Sequence, residues 1–455
     1  MSIECTELES DLQTLEQLKA GELNGIKRLS LSANLTEFPT EIYSLADSLE
    51  ILDLSNNQLM TLPQDLPKLH RLKVIFLSNN PIEIFPSILA LCPNLEMIGF
   101  KSCRLKHIAE DALPPKLRWL ILTDNQLTLL PNAIGQCPRL EKLALAGNQL
   151  AALPETLKHC ENLALIRISA NQLTHLPDWL LALPKLAWLA FSGNPFCATA
   201  DLTALEHSKF HSQDFECDEL LGQGASGLIY RARWQKNTAH TQEDFAVKIF
   251  KGQLTSDGYP QDELQTSLKI PNHPNWIEVL GHFDNHSSEN PQTGLLMKLI
   301  PSDYKNLGLP PSLETCSRDT FAPELQLNQT TTLKILQAVS SAMAHLHQHE
   351  ISHGDLYAHN ILINDNADLL MGDFGAASQY HELSNPQKQQ IQHLELRAFA
   401  YLIDDLMTVS LAPNSKVSET MVTKLRQLQN DCAKANLSNP LTFEKVHQTL
   451  QQFSI

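Results

Sequence analysis

An α/β repeat solenoid followed by a second domain of different make is the fold class that this sequence predicts. Three observations predict it. One column, Asn34, Asn57, Asn80, Cys103, Asn125, Asn148, Asn171 and Asn194, recurs in steps of 22 or 23 residues. The repetition stops near residue 213, where the glycine-rich stretch "FECDELLGQGASGLIYRARW" begins. A length of 455 residues also exceeds what one core usually serves.

The repeats come first. "LEILDLSNNQLMTLP", "LKVIFLSNNPIEIFP", "LRWLILTDNQLTLLP", "LEKLALAGNQLAALP" and "LALIRISANQLTHLP" align on one another. Each "LxL" points a Leu pair into a core shared with neighbouring turns, and the Asn amide can satisfy backbone groups where the chain bends. The LxxLxLxxN spacing resembles leucine-rich repeats, about eight of them over residues 26–200. Residues 1–25, with "LQTLEQLKAGEL" at helical spacing, are expected to cap one end of the array, and 201–213 to form a cap or linker at the other.

Because strand side chains alternate, residues flanking the buried Leu face the concave side. They include Ile51, Val74, Phe76, Met97, Trp119, Ile121, Leu165 and Trp188. So many large apolar groups suggest a docking surface for a protein substrate or partner, or for the chain's own second half; scattered surface hydrophobes are the plainer alternative.

The second half carries phosphate chemistry. Apolar and aromatic residues around Gly222, Gly224 and Gly227 read as a hairpin whose glycines let backbone amides approach phosphate oxygens. Then "FAVKIF" brings Lys248, "HGDLYAHN" brings Asp355 and Asn360, and "GDFG" brings Asp373. These four motifs, in this order, resemble the eukaryotic-type protein kinase domain from residue 214 to 455. The resemblance implies an α+β two-lobed protein-kinase-like domain that uses ATP and Mg2+.

It also implies roles. Lys248 would hold the α and β phosphates and pair with a Glu of the following helix, for which Glu263 is the best candidate, Asp262 being a near neighbour. Asp355 would accept the substrate hydroxyl proton, and Asn360 and Asp373 would ligate magnesium. Ala246 and Met297 would lie beside the nucleotide base, with gatekeeper and hinge in "LLMKLIP".

The sequence departs from the kinase pattern in several places. Gly354 replaces the Arg between His and Asp, which removes the receiver of an activation-loop phosphate. Tyr357 stands where Ser/Thr kinases place a Lys, and His359 is either a substitute base or a packed side chain. The buried central helix is expected to begin at Glu395, leaving a short activation segment with no "APE", and Asn439 replaces the Arg that would pair with its Glu. Losing both partners of a buried ion pair can be nearly neutral, whereas losing one strands a charge. Substrate recognition then falls to the concave face or to the insertion at 301–321.

Composition narrows the function classes. With 43% hydrophobic and 19% charged residues the chain is of soluble globular type. A net charge of −17 argues against nucleic acid and anionic membrane as partners. The polar, acidic N-terminus and the lack of a long apolar run lead to a cytoplasmic expectation. Cys92, Cys137 and Cys160 sit at equivalent repeat positions, which suggests buried thiols in a reducing compartment. The function expected is an ATP-dependent protein kinase, Ser/Thr by type, with repeats for partner recognition. A nucleotide-binding scaffold or pseudokinase and a small-molecule kinase are the alternatives.

Overall fold

A computed structural model describes residues 13–197, 209–224, 226–235, 244–285, 292–410 and 418–453. Of these, 13–186 and 193–196 form one compact unit, and 187–192 with the residues from 197 onward form the other.

The first unit opens on helix α1 (Leu15–Ala20), whose N-cap Thr14 forms a capping box with Gln17. Residues 1–12 of the expected cap lie outside the described residues. Strands β1 (Arg28–Ser30), β2 (Ile51–Asp53), β3 (Val74–Phe76), β4 (Met97–Gly99), β5 (Trp119–Ile121), β6 (Lys142–Ala144) and β7 (Leu165–Arg167) pair in parallel, each with the next. Their middle residues, Leu29, Leu52, Ile75, Ile98, Leu120, Leu143 and Ile166, stand in register and are wholly buried. Each such side chain contributes about 1.5–3 kcal/mol, and only as part of the stack.

The Asn column explains how the turns are held. Asn125 accepts the backbone N–H groups of Cys103 and Leu105 at 3.2 and 2.8 Å, and donates to the carbonyls of Phe100 and Leu122 at 2.7 and 2.9 Å. Cys103 contributes a weaker version, its thiol donating to Leu77 O at 3.1 Å. Asn34 differs from the expectation, being exposed with φ +52°. The loop from Leu31 to Leu35 is one residue shorter than that from Leu54 to Leu59. Asn34 therefore falls at a left-handed position between the two N–H groups that Asn57 accepts, those of Ala33 and Leu35, as Arg104 does between Cys103 and Leu105, and the buried ladder starts at Asn57.

The concave row is not an open apolar surface. Val74, Met97, Ile121 and Leu165 are buried, while Ile51, Phe76 and Trp119 are half-buried. The Phe76 ring lies over Gly99, where a Cβ would come within 2.7 Å of it, and the Lys142 ammonium sits 4.3 Å from the Trp119 ring centre. The row thus covers part of itself. Cys92, Cys137 and Cys160 are buried free thiols; burial pushes Cys92 and Cys137 up to about 11 and Cys160 to about 12.

In the second unit, the short helix α2 (Asp178–Leu181) of the first having ended before it, strand β8 (Trp188–Ala190) packs with the C-terminal elements. Strand β9 (Lys209–Phe210) pairs with β13 (Val279–Asn285), so the sheet of this unit begins before residue 214, inside the stretch expected to be linker. The part of that stretch up to residue 208 lies outside the described residues. The remaining strands are β10 (Phe215–Gln223), β11 (Gly227–Trp234), β12 (Phe245–Phe250) and β14 (Gln292–Lys298), in the order β10-β11-β12-β14-β13-β9. Phe215, Phe245, Val247, Phe283 and Leu296 form its core. Helix α3 (Pro260–Lys269) starts with Pro at its first position, as a helix N-terminus favours.

Below this sheet lie β15 (Lys305–Asn306), helix α4 (Gln329–Gln348), β16 (Ile351–Ser352), β17 (Ile361–Ile363), β18 (Leu369–Met371), β19 (Ser378–Gln379), and helices α5 (Asn385–Ser410), α6 (Glu419–Ala433) and α7 (Phe443–Gln451). Helix α4 buries Leu336, Val339, Met343 and Leu346 on one face, at helical spacing. Helix α5 begins ten residues before the expected Glu395. Ser384 caps its start, donating to Gln387 while its carbonyl accepts Lys388 N–H, and Ile391 and Leu394 carry the buried face back from Glu395.

Candidate functional site

The sheet supplies one wall of a cleft. Strands β10 and β11 form the expected hairpin, with Gly222 opposite Ile229 and Gly224 N–H donating to Gly227 O at 2.9 Å. Gly227 is the position that needs glycine sterically, since a Cβ would lie 2.6 Å from Ile249 O and 3.2 Å from Lys248 Cγ. At Gly222 and Gly224 a Cβ would meet nothing within 4 Å, which leaves that side open. Across β12 and β14, buried Ala246 pairs with half-buried Met297.

Lys248, on β12, is buried and its ammonium pairs with Glu263 of α3, also buried. Its second acid is Asp373, 4.0 Å away. Burial alone would lower the Lys248 pKa, but Glu263 and Asp373 outweigh it and hold the ammonium above its ordinary value. Of the two acids considered in α3, Glu263 meets the lysine; Asp262 is pushed up to about 6 by desolvation, with Ser192 opposing.

Asp373 has left-handed backbone at φ +59° and leaves 47% of its side chain open to the cleft. Burial raises its pKa, yet Lys248 and the Gly375 N–H overcome this and keep it below the usual carboxylate value. The adjacent Phe374 is buried between Trp276 and His353, with ring centres at 5.1 and 5.7 Å.

The loop 353–360 carries the opposite wall. Asn360 donates to the Asp355 carboxylate at 2.8 Å and to its backbone carbonyl at 2.9 Å, which pins the acid. Asp355 N–H in turn donates to His353 Nδ1 at 3.3 Å. Glu395, buried on α5, accepts the N–H groups of His353 and Gly354 at 3.1 and 2.6 Å, and His347 lies 3.0 Å from the same carboxylate. By its sequence Glu395 marks only a helix start. A charged residue in the middle of an otherwise apolar helical face was the available signal.

His359 is not turned to the cleft. Its backbone N–H and Nδ1 both meet Asp319, at 3.1 and 2.7 Å, deep in the fold. Asp319 belongs to the 301–321 insertion, which is therefore structural in part: Asn306 donates to His359 O at 2.6 Å, and Arg318 pairs with Asp404 and Asp405. Nothing in the sequence around Asp319 marks this partner. Tyr357 is buried and stacks on Trp188, ring centres 4.3 Å apart.

Among the described residues no three His, Cys, Asp or Glu side chains come together as a protein-only metal site. Asp373 with Asn360 Oδ1 is a hard-oxygen set of the sparse kind that suits magnesium, which takes its remaining ligands from water and phosphate. No helix among the described residues is long and apolar enough to cross a membrane.

Comparison with known proteins finds matches in both halves of the chain. Residues 215–401 match the family of protein tyrosine and serine/threonine kinases, and residues 48–69 and 93–150 match leucine rich repeats. The chain is similar to Aurora/IPL1-related protein kinase 2 of Caenorhabditis elegans, 28% identical over 179 residues, which are 38% of this chain and 51% of that protein. It is similar to cyclin-dependent kinase 11.1 of the same organism, 29% over 170 residues, 37% of this chain and 22% of that protein. Human cyclin-dependent kinase 11A gives 29% over 171 residues, 37% and 19%. The match thus spans about half of the first relative and about a fifth of the other two.

Proposed function

We propose that this chain, which carries leucine-rich repeats and a protein kinase domain, transfers the γ-phosphoryl group of ATP to a Ser or Thr hydroxyl of a protein. The observation that carries the proposal is the joint presence of the Lys248–Glu263 pair, Asp373 beside it and Asp355 pinned by Asn360. In this reading the Lys248 ammonium holds the α and β phosphates, and Glu263 keeps it charged and aimed. The amides around Gly222, Gly224 and Gly227 lie along the phosphates, and Ala246 and Met297 border the base. Asn360 and Asp373 would hold magnesium, which when bound neutralises charge on the transferring group.

Asp355 accepts the hydroxyl proton as the acceptor oxygen attacks. The N–H groups of the two residues before it, His353 and Gly354, are anchored by Glu395 and its carboxylate by Asn360, so little reorientation is needed at the moment of transfer. The repeats serve as a protein-interaction module, and a partner or substrate on the concave row is part of the proposal. The named relatives are protein kinases, which favours this reading over a scaffold or a small-molecule kinase.

The test is incubation of the full chain with γ-labelled ATP, magnesium and a cell lysate, beside an Asp373→Ala variant. Label in protein bands with wild type alone supports the proposal. Label confined to small metabolites, or none despite ATP binding, refutes it.

A further inference from the structure

We propose that the segment Ala187–Ser192 is a positioning element of the phosphotransfer site, with Trp188 as its anchor, and that it orients the Asp355 loop at the two places where Gly354 and Tyr357 depart from the kinase pattern. The proposal rests on the kinase reading and adds a residue that neither the motifs nor the family match assigns.

Trp188 is 2% exposed, and its indole N–H donates to the carbonyl of Leu356 at 3.0 Å. Its ring lies parallel to Tyr357, 4.3 Å away at 7°, and nearly parallel to Tyr401 of α5, 5.4 Å away at 17°. One residue on, the Leu189 carbonyl approaches the other side of Asp355: a Cβ on Gly354 would stand 2.9 Å from it and 2.4 Å from Ala376 O. Phe191 N–H donates to the buried Ser378 hydroxyl at 3.0 Å, on the stretch that follows Gly375.

The segment therefore touches both neighbours of Asp355, and the direction of the carboxylate depends on both. Two departures from the kinase pattern acquire one cause. Gly354, at φ +73°, is glycine because no side chain fits beneath two carbonyls, so the Arg of the pattern is excluded. Tyr357 replaces a Lys because its ring is the platform for the indole. A removable plug would present a different picture: expelling Trp188 would bare a whole indole and strip the Leu356 carbonyl of its donor. Its burial marks it as a permanent part of the lobe.

The experiment compares full-length wild type, Trp188→Ala and Trp188→Phe, the last keeping the stack and losing only the N–H. Turnover is followed with γ-labelled ATP, magnesium and dephosphorylated casein, ATP affinity by calorimetry, and amide hydrogen exchange over residues 353–360. For Trp188→Ala the expected result is a fall in kcat of about 10²-fold, ATP affinity within twofold of wild type, and faster exchange confined to the loop. Trp188→Phe should recover at least a tenth of wild-type kcat. Unchanged kcat, increased kcat, or parallel loss of ATP affinity, thermal stability and exchange protection throughout the lobe would overturn the proposal. Absence of turnover in wild type would refute the kinase reading instead, and exchange at the loop would still decide for or against the positioning role.

Discussion

Asn360 donates its side-chain amide to the Asp355 carboxylate at 2.8 Å, so these two residues of the loop fix each other before any substrate arrives. On the proposed function, removing the amide should release the acid and take away a residue that would hold magnesium. Asn360→Ala is expected to lower kcat by about 10²-fold or more and to raise the magnesium concentration needed for half-maximal rate. A magnesium titration of the initial rate checks both.

The Lys248–Glu263 pair separates stability from activity. Lys248→Met leaves Glu263 buried without its cation, at a cost of roughly 3–5 kcal/mol. Adding Glu263→Leu should return most of that stability, because neither charge is then stranded. Turnover should stay lost in both. Chemical denaturation alongside a kinase assay reads the two effects independently.

Legibility in the sequence followed the range of the interaction. The Asn column and the Leu core were readable because each repeat meets its copy 22 or 23 residues away, and periodicity reports that spacing directly. Glu263 was readable as the helix acid for Lys248 from its place ahead of "HPN" in the motif order, and the structure pairs the two. Trp188 was readable as one of a concave apolar row for a partner or for the chain's own second half, and not as the partner of one particular carbonyl. Its partner Leu356 lies 168 positions on, and no local pattern encodes such a contact. The pairing of Asp319 with His359 was hidden in the same way, 40 positions apart within an insertion. The error at Asn34 came from a loop shorter by one residue, which shifts the side chain from a buried column to a left-handed turn.

That shift yields a stability prediction. Asn125→Ala removes five side-chain hydrogen bonds and leaves buried backbone groups without partners. A loss of roughly 3 kcal/mol is expected, at about 1–3 kcal/mol per stranded group with partial relaxation. Asn34→Gly, at an exposed left-handed position, should change stability by no more than about 0.5 kcal/mol. Urea midpoints of the full chain give the comparison.

Asp262 predicts a pH dependence. Burial raises its folded-state pKa from 3.8 to about 6, so the native chain binds this proton more tightly than the unfolded chain does. Its contribution is fully present below 3.8 and is lost as the pH rises through about 6. Asp262→Asn should accordingly leave stability unchanged near the bottom of that window and raise it at neutral pH, by on the order of 2 kcal/mol. Melting curves of both proteins across the window would show the gap opening with pH.

The most direct measurement is a single-turnover transfer assay on the full chain with γ-labelled ATP, magnesium and a protein acceptor, comparing wild type with Asp355→Asn. The predicted result is acid-stable label on Ser or Thr in wild type and a rate at least about 10²-fold lower in the variant, with ATP affinity unchanged. Equal rates in the two proteins, or no label from a wild type that binds ATP, would contradict the account.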